Sequence, residues 1–122
     1  MSIINSYKDL HVWQKSMIIC EEVYKITKTF PSHEVYGLTS QIRRCSVSIP
    51  SNIAEGRLRG HRAEYKHFLY IAYGSGAELE TQLQIALRIG YINNEDYTKI
   101  TSLLGELMRM LNKLISSLKP ST

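Results

Sequence analysis

The sequence predicts an all-α fold, an antiparallel up-down four-helix bundle with a proline-kinked second helix. Three observations carry that prediction. Apolar residues recur every three to four positions along most of the chain, the repeat of one helix face. Breakers at Phe30-Pro31-Ser32, Gly56-Arg57-Leu58-Arg59-Gly60 and Gly90 to Asn94 divide the chain into four stretches. The connections between them are short, which makes consecutive helices antiparallel neighbours. A chain of 122 residues is long enough for one core, so a single domain over 1–122 is expected.

The first helix is expected over about 7–29. Ser6 can cap it, and Asp9 in its first turn suits the positive end of the helix dipole. Its apolar residues make two stripes. Leu10, Trp13, Met17, Cys20 and Tyr24 form one, and Val12, Ile19, Val23, Ile26 and Phe30 form the other. One stripe suffices for a surface helix, so two predict burial on two sides, in the core or at a subunit contact. Pro31 ends the helix by disfavouring helical geometry in the residue before it.

The second helix is expected over about 34–56, with Leu38, Ile42, Cys45, Ile49 and Ile53 on one face. Pro50 falls inside it. Proline has no N–H for the Ser46 carbonyl and its ring clashes there, at a cost of about 3 kcal/mol, so a bend is expected. Ser46 and Ser48 are placed to satisfy the loosened backbone. The third helix is expected over about 61–89, with Tyr65, Phe68, Leu69, Ala72, Leu79, Leu83, Ala86 and Leu87 on its apolar side. Gly74 and Gly76 lie inside it and cost about 1 kcal/mol each in propensity. Close approach of a neighbouring helix is one reason for them, and a break into two shorter helices is the other. Gly90 suits the position just past the helix end. Asn93 or Asn94 caps the fourth helix, over about 94–118, with Glu95 and Asp96 in its first turn. Tyr97, Ile100, Leu104, Leu107, Leu111, Leu114 and Leu118 repeat nearly every 3.5 residues, and Lys119-Pro120 closes the helix.

Composition narrows the class further. No run of about 18 apolar residues occurs, which argues against a transmembrane helix. Met1 to Ser6 lacks a basic segment followed by a long apolar one, so no signal peptide is expected. Cys20 and Cys45 lie on apolar faces without Cys-x-x-Cys spacing and read as buried thiols in a reducing cytoplasm. The net charge is +4 and is concentrated in one segment. Between positions 43 and 66 lie six cations, Arg43, Arg44, Arg57, Arg59, Arg62 and Lys66, against Glu55 and Glu64. The nine cations and nine anions elsewhere cancel. Such an excess points to phosphate-bearing or acidic partners, or to an ordinary solvated helix end.

Three sequence blocks carry a resemblance. They are Tyr7-Lys8-Asp9-Leu10-His11-Val12-Trp13-Gln14-Lys15, then Tyr36 to Arg44 followed by Ser48-Ile49-Pro50-Ser51-Asn52-Ile53-Ala54-Glu55-Gly56, then Ala77-Glu78-Leu79-Glu80-Thr81-Gln82-Leu83. In that order they resemble the small four-helix-bundle proteins encoded by intervening sequences of bacterial large-subunit rRNA genes. The resemblance implies a ring-like homopentamer. The chain is also similar to the accessory proteins of diversity-generating retroelements, basic bundles that associate with a reverse transcriptase and bind nucleic acid.

Candidate site residues follow from the basic segment. Arg43 and Arg44 lie about 100° apart on a helix, while Arg44 and Ser48 share a face. They fit phosphate contact or the lining of a ring. At least one is instead expected to pair with Glu78 or Glu80 on the next helix, because charges beside apolar stripes are usually paired. Arg57, Arg59, Arg62 and Lys66 cluster at a helix junction with His61, where exposed helix-start amides favour anions. Tyr65, Phe68 and Tyr73 read as core or interface positions, so no aromatic platform for bases is expected. His61 and His67 are six apart, a poor spacing for a shared metal. No nucleophile–base pair, phosphate loop or facing carboxylate pair is evident, so neither catalysis nor a cofactor is expected.

The sequence therefore reads as a cytoplasmic, non-catalytic, homo-oligomeric scaffold. It would contact RNA, DNA or a nucleic-acid enzyme through Arg43, Arg44, Arg57, Arg59, Arg62 and Lys66. The alternative is a protein-interaction module without nucleic-acid affinity. An exposed patch of Arg57, Arg59, Arg62 and Lys66 favours the first, and pairing of those residues with Glu55 and Glu64 favours the second.

Overall fold

A computed structural model describes residues 6–118. The expected closing Lys119-Pro120 lies outside them. Four helices dominate: α1 (His11–Thr27), α2 (Leu38–Leu58), α3 (Arg62–Arg88) and α4 (Asn94–Ser117). Single 3₁₀ turns at Tyr7–Asp9 and Ser32–Glu34 precede α1 and α2, and no strand occurs among the described residues. α1 packs on α2 and α4, and α3 packs on the same two helices. Partner positions run in opposite directions at each interface. Thr27 and Cys20 of α1 meet Arg43 and Ser46 of α2. Cys45 and Ser48 of α2 meet Glu78 and Ser75 of α3. Gln84 and Gly76 of α3 meet Tyr97 and Met108 of α4. Lys15 and Glu22 of α1 meet Glu106 and Lys99 of α4.

The helix ends differ from the sequence reading in instructive ways. Ser6 caps the 3₁₀ turn, accepting from the Lys8 N–H at 3.1 Å, and not α1. Leu10 is extended between the turn and the helix. α2 begins only at Leu38, because the Ser32–Glu34 turn occupies the preceding residues. The Glu34 carboxylate caps α2 from outside, accepting from the Leu38 N–H at 3.1 Å and from the Tyr91 hydroxyl at 2.8 Å. Those bonds hold the Glu34 carboxyl below its ordinary range, the Leu38 amide first among them. They also tie the α1–α2 connection to the α3–α4 connection. α2 does not stop at Gly56; it continues to Leu58, and Gly60, at φ 77°, makes the turn. The end of α3 is as expected. Gly90 adopts φ 82°, its N–H reaches the Leu87 carbonyl, and Tyr91 N–H reaches that of Ala86, a Schellman closure. Asn93 caps α4 by accepting from the Asp96 N–H at 2.7 Å.

One hydrophobic core runs through the bundle. The stripe Val12, Ile19, Val23, Ile26 and Phe30 of the first segment faces it and is buried. In the other stripe Cys20 is buried while Met17 and Tyr24 are exposed. On α4 the buried series is Ile100, Leu104, Leu107, Leu111 and Ile115, with Leu114 and Leu118 only partly covered. The shift from Leu114 to Ile115 follows the 3.6-residue repeat of an α-helix, which drifts off a 3.5-residue count.

α3 is unbroken across Gly74 and Gly76, so the two-helix alternative falls. The two glycines differ. Gly76 is buried, and a Cβ there would collide with the Met108 sulfur of α4; around Gly74 nothing lies within 4 Å. Gly56 is a third close approach, where a Cβ would sit 2.6 Å from the Phe68 Cβ of α3.

α2 also runs unbroken through Pro50, which is buried. The carbonyl that Pro50 leaves without its helical donor belongs to Ser46. The Cys20 thiol of α1 donates to it at 3.0 Å. Neither serine expected there does so. Ser46 Oγ donates to the Arg43 carbonyl at 2.8 Å, and Ser48 Oγ pairs with Ser75 Oγ at 2.9 Å. Burial, the largest influence, raises the Cys20 pKa and keeps the thiol protonated as a donor.

Cys20→Ala is expected to cost about 1–3 kcal/mol, for a buried carbonyl left unpaired and a lost sulfur contact. In a Pro50→Ala background, where the backbone supplies its own N–H, that cost shrinks by about 1 kcal/mol. Urea denaturation of the four-protein cycle measures the coupling, and equal costs in both backgrounds would remove the assignment. Gly56→Ala is expected to destabilise by about 1–3 kcal/mol through overpacking. Gly74→Ala is expected to stabilise by roughly 0.5–1 kcal/mol. Thermal unfolding of the pair separates packing from propensity.

Candidate functional site

The six candidate cations do not form one patch. Arg44 and Arg57 are separated by thirteen residues of α2, about 20 Å along the axis. The Arg43–Arg44 pair is divided by the helix itself. Arg43 turns to α1, donates through Nε to Thr27 Oγ1 at 2.8 Å and lies 4.8 Å over the Tyr24 ring. Thr27 is buried and its hydroxyl donates to the Val23 carbonyl at 2.8 Å, so Arg43 completes a short hydrogen-bond chain. The expected ion pairs to Glu78 or Glu80 do not occur. Arg43 meets the preceding helix instead, because its direction at that position is toward α1.

Arg44 is exposed and faces α3. It lines a groove of about 400 Å³ with Tyr36, Cys45, Ser48, Ser75 and Glu78. Cys45 donates to the Ser75 carbonyl at 3.0 Å and sits 3.6 Å from Glu78 Oε1. Burial, and then the Glu78 carboxylate, push the Cys45 thiol up to about 12. It is a protonated donor at neutral pH and not a nucleophile.

The α2–α3 corner gathers the other four. Arg59 is consumed by both local carboxylates, at 3.7 Å from Glu55 and 3.5 Å from Glu64, and lies 5.0 Å over the Phe68 ring. Arg57 and Arg62 line one cleft of about 270 Å³ with Gly56, Gly60, His61, Tyr65 and Leu118. Arg57 also lies 5.9 Å over the Tyr65 ring. Burial raises the Tyr65 pKa, with Arg57 opposing, and its hydroxyl has no hydrogen-bond partner. Lys66, one turn into α3, is half-buried and outside that cleft.

The second stripe of α1, expected in the core or at a subunit contact, borders a second kind of surface whose α2 side sequence reasoning missed. Between α1 and α2 an apolar groove of about 350 Å³ is lined by Tyr7, Trp13, Met17, Val47, Pro50 and Ala54. The signal was present in the second stripe of α1. Its partners on α2 were hidden, because Val47, Pro50 and Ala54 fall off the core face that the periodicity picks out.

Among the described residues, no three His, Cys, Asp or Glu side chains converge as metal ligands. No helix among them is long and apolar enough to cross a membrane.

Four antiparallel helices, a polar groove and a split set of arginines define a small helical bundle. A family model described as 23S rRNA-intervening sequence protein matches residues 8–113, and the chain belongs to that family. A solved structure from the S23 ribosomal protein family of Bacteroides thetaiotaomicron, a protein with unknown function, superposes with a TM-score of 0.80 at 27% identity. The match covers 86% of this chain and 95% of that one. A search among curated proteins finds no match.

Arg43 is thus expected to act in stability and Arg44 not. Arg43→Ala should cost about 1–2 kcal/mol through the Thr27 bond and the Tyr24 contact. Arg44→Ala should stay within about 0.5 kcal/mol of the parent in the same urea titration.

Proposed function

We propose that the protein is a cytoplasmic, non-catalytic helical scaffold that works through contacts with proteins, other copies of itself included. The observation that carries this reading is the apolar groove between α1 and α2, with exposed Tyr24 one turn beyond Cys20 on the same side of α1. An apolar surface on an extracted bundle face is the ordinary mark of a protein contact. Met17 and Val47 stand at its rim, 39% and 42% exposed. The family resemblance supports a closed ring of five as the assembly.

A second reading is contact with RNA, DNA or a nucleic-acid enzyme such as a reverse transcriptase. What favours it is the shared cleft of Arg57 and Arg62 beside His61 at the start of α3, with Lys66 one turn on. What counts against it is the spending of Arg59 on Glu55 and Glu64, and of Arg43 on α1. Repetition of the corner around a ring would concentrate its charge.

Light scattering at micromolar concentration tests the first reading. An oligomer is expected, with Met17→Glu/Val47→Glu dissociating it while circular dichroism stays helical. A monomeric parent protein would overturn it. Fluorescence anisotropy with a structured RNA and a duplex DNA across a salt series tests the second. Binding with a slope of about −0.7 to −0.9 per phosphate neutralised, reduced in Arg57→Glu/Arg62→Glu, would establish it. Absence of binding at low salt would leave the scaffold to protein partners alone.

A further inference from the structure

The α2–α3 groove belongs neither to the apolar α1–α2 groove nor to the basic corner, and neither reading above uses it. Its two walls carry opposite charges. Arg44 stands on α2 and Glu78 on α3, both exposed, and no ion pair joins them or engages either with another described residue. The thiol beside Glu78 is neutral, so it leaves the carboxylate charge uncompensated.

Beside the charges the groove offers neutral hydrogen-bonding groups. The hydroxyls of Ser48 and Ser75 pair with each other at 2.9 Å, and each oxygen keeps further capacity. Asn52 already donates to Ser48 Oγ at 3.0 Å, which anchors the α2 side. Gln82 also lines the groove, is only 8% exposed, and its Oε1 has no partner. A buried amide oxygen without a donor is costly, and side-chain amides turn readily to meet one. At the other end Tyr36 is 96% exposed. A bare aromatic ring at the end of a polar groove offers a face on which an apolar ligand group can rest.

Opposite charges on facing walls discriminate by charge pattern. A simple anion meets Glu78 as a repulsion, and a simple cation meets Arg44 in the same way. A molecule carrying both charges a few ångströms apart satisfies both walls, with guanidinium–carboxylate pairing available on one side. The volume, about 400 Å³, is in the range of small-molecule sites.

We propose that the α2–α3 groove binds a zwitterion of the α-amino-acid class, between a free amino acid and a dipeptide in size. The carboxylate lies on Arg44, the ammonium on Glu78 near Ser75 and Gln82, and the side chain against Tyr36.

The test is an NMR titration of the full chain with the standard amino acids and a set of dipeptides. Acetate, methylammonium and inorganic phosphate serve as single-charge probes. At least one zwitterion should give saturable shifts at Ser48, Ser75 and Gln82 at millimolar concentration or below. Arg44→Gln and Glu78→Gln should each weaken it roughly ten- to hundredfold, the scale of one charge-assisted contact. Arg44→Lys, which keeps the charge and loses the fork, should fall between. Both positions are exposed, and unchanged thermal unfolding of each variant confirms that folding is not the cause. No saturable shift across the panel at about 10 mM would overturn the proposal. So would phosphate or acetate binding as tightly as the zwitterion, or binding unaffected by Glu78→Gln.

Discussion

Pro50 deprives the Ser46 carbonyl of its helical donor, and the rest of the α1–α2 packing is arranged around the replacement. That replacement comes from another helix, as the Cys20 thiol at 3.0 Å. A thiol is a weak donor, but a buried carbonyl with no donor costs more than a weak bond returns. Sulfur also reaches across a helix–helix gap that a backbone amide cannot. The contact fixes the register of α1 against α2 at the middle of the interface. Arg43 on Thr27 fixes it again toward the end of α1. Small residues do the equivalent work elsewhere, with Gly56 setting the approach of α2 to α3 and Gly76 that of α3 to α4.

The same geometry decides which charges are available at the surface. Consecutive arginines on a helix diverge by about 100°, so a basic pair in sequence becomes two residues with different neighbours. Arg43 is absorbed into the α1 contact, and Arg44 is left on the groove toward α3. At the corner Arg59 folds onto Glu55 and Glu64. Exposed pairs of this kind add little stability, but they remove local field, which matters more for a phosphate-bearing partner. A segment that holds the whole net charge of +4 thus presents much less than that in any one direction.

Much of the fold was legible because helix faces repeat in the sequence itself. Most of the buried face of α3 and the inner stripe of the first helix follow from spacing alone, and so do the Gly90 closure and the Asn93 cap; buried Gly76 and Gln82 do not, and Phe68 and Leu87 are only partly covered. Boundaries were less legible where a tertiary contact set them. α2 starts late because Glu34, held by Tyr91 from the far connection, caps it. It ends late because Gly56 serves packing against Phe68 and not the turn. Of the site, the cations were visible and their partners were not. Of the α2–α3 groove the sequence showed only Arg44 and Ser48 on one face and Glu78 as a neighbour, since Cys45 and Ser75 lie 30 residues apart and meet only across the interface.

The sequence by itself determined that this chain is four amphipathic helices with a buried apolar side, and where three of the connections bend. Those are local properties: side-chain period, proline and glycine geometry, and caps within four residues. Only the tertiary structure decided which donor answers the Ser46 carbonyl, which glycine is a turn and which a contact, and which arginine faces outward. Each of these depends on a neighbour brought near by packing, and the distance between partners in space is not written in their distance along the chain.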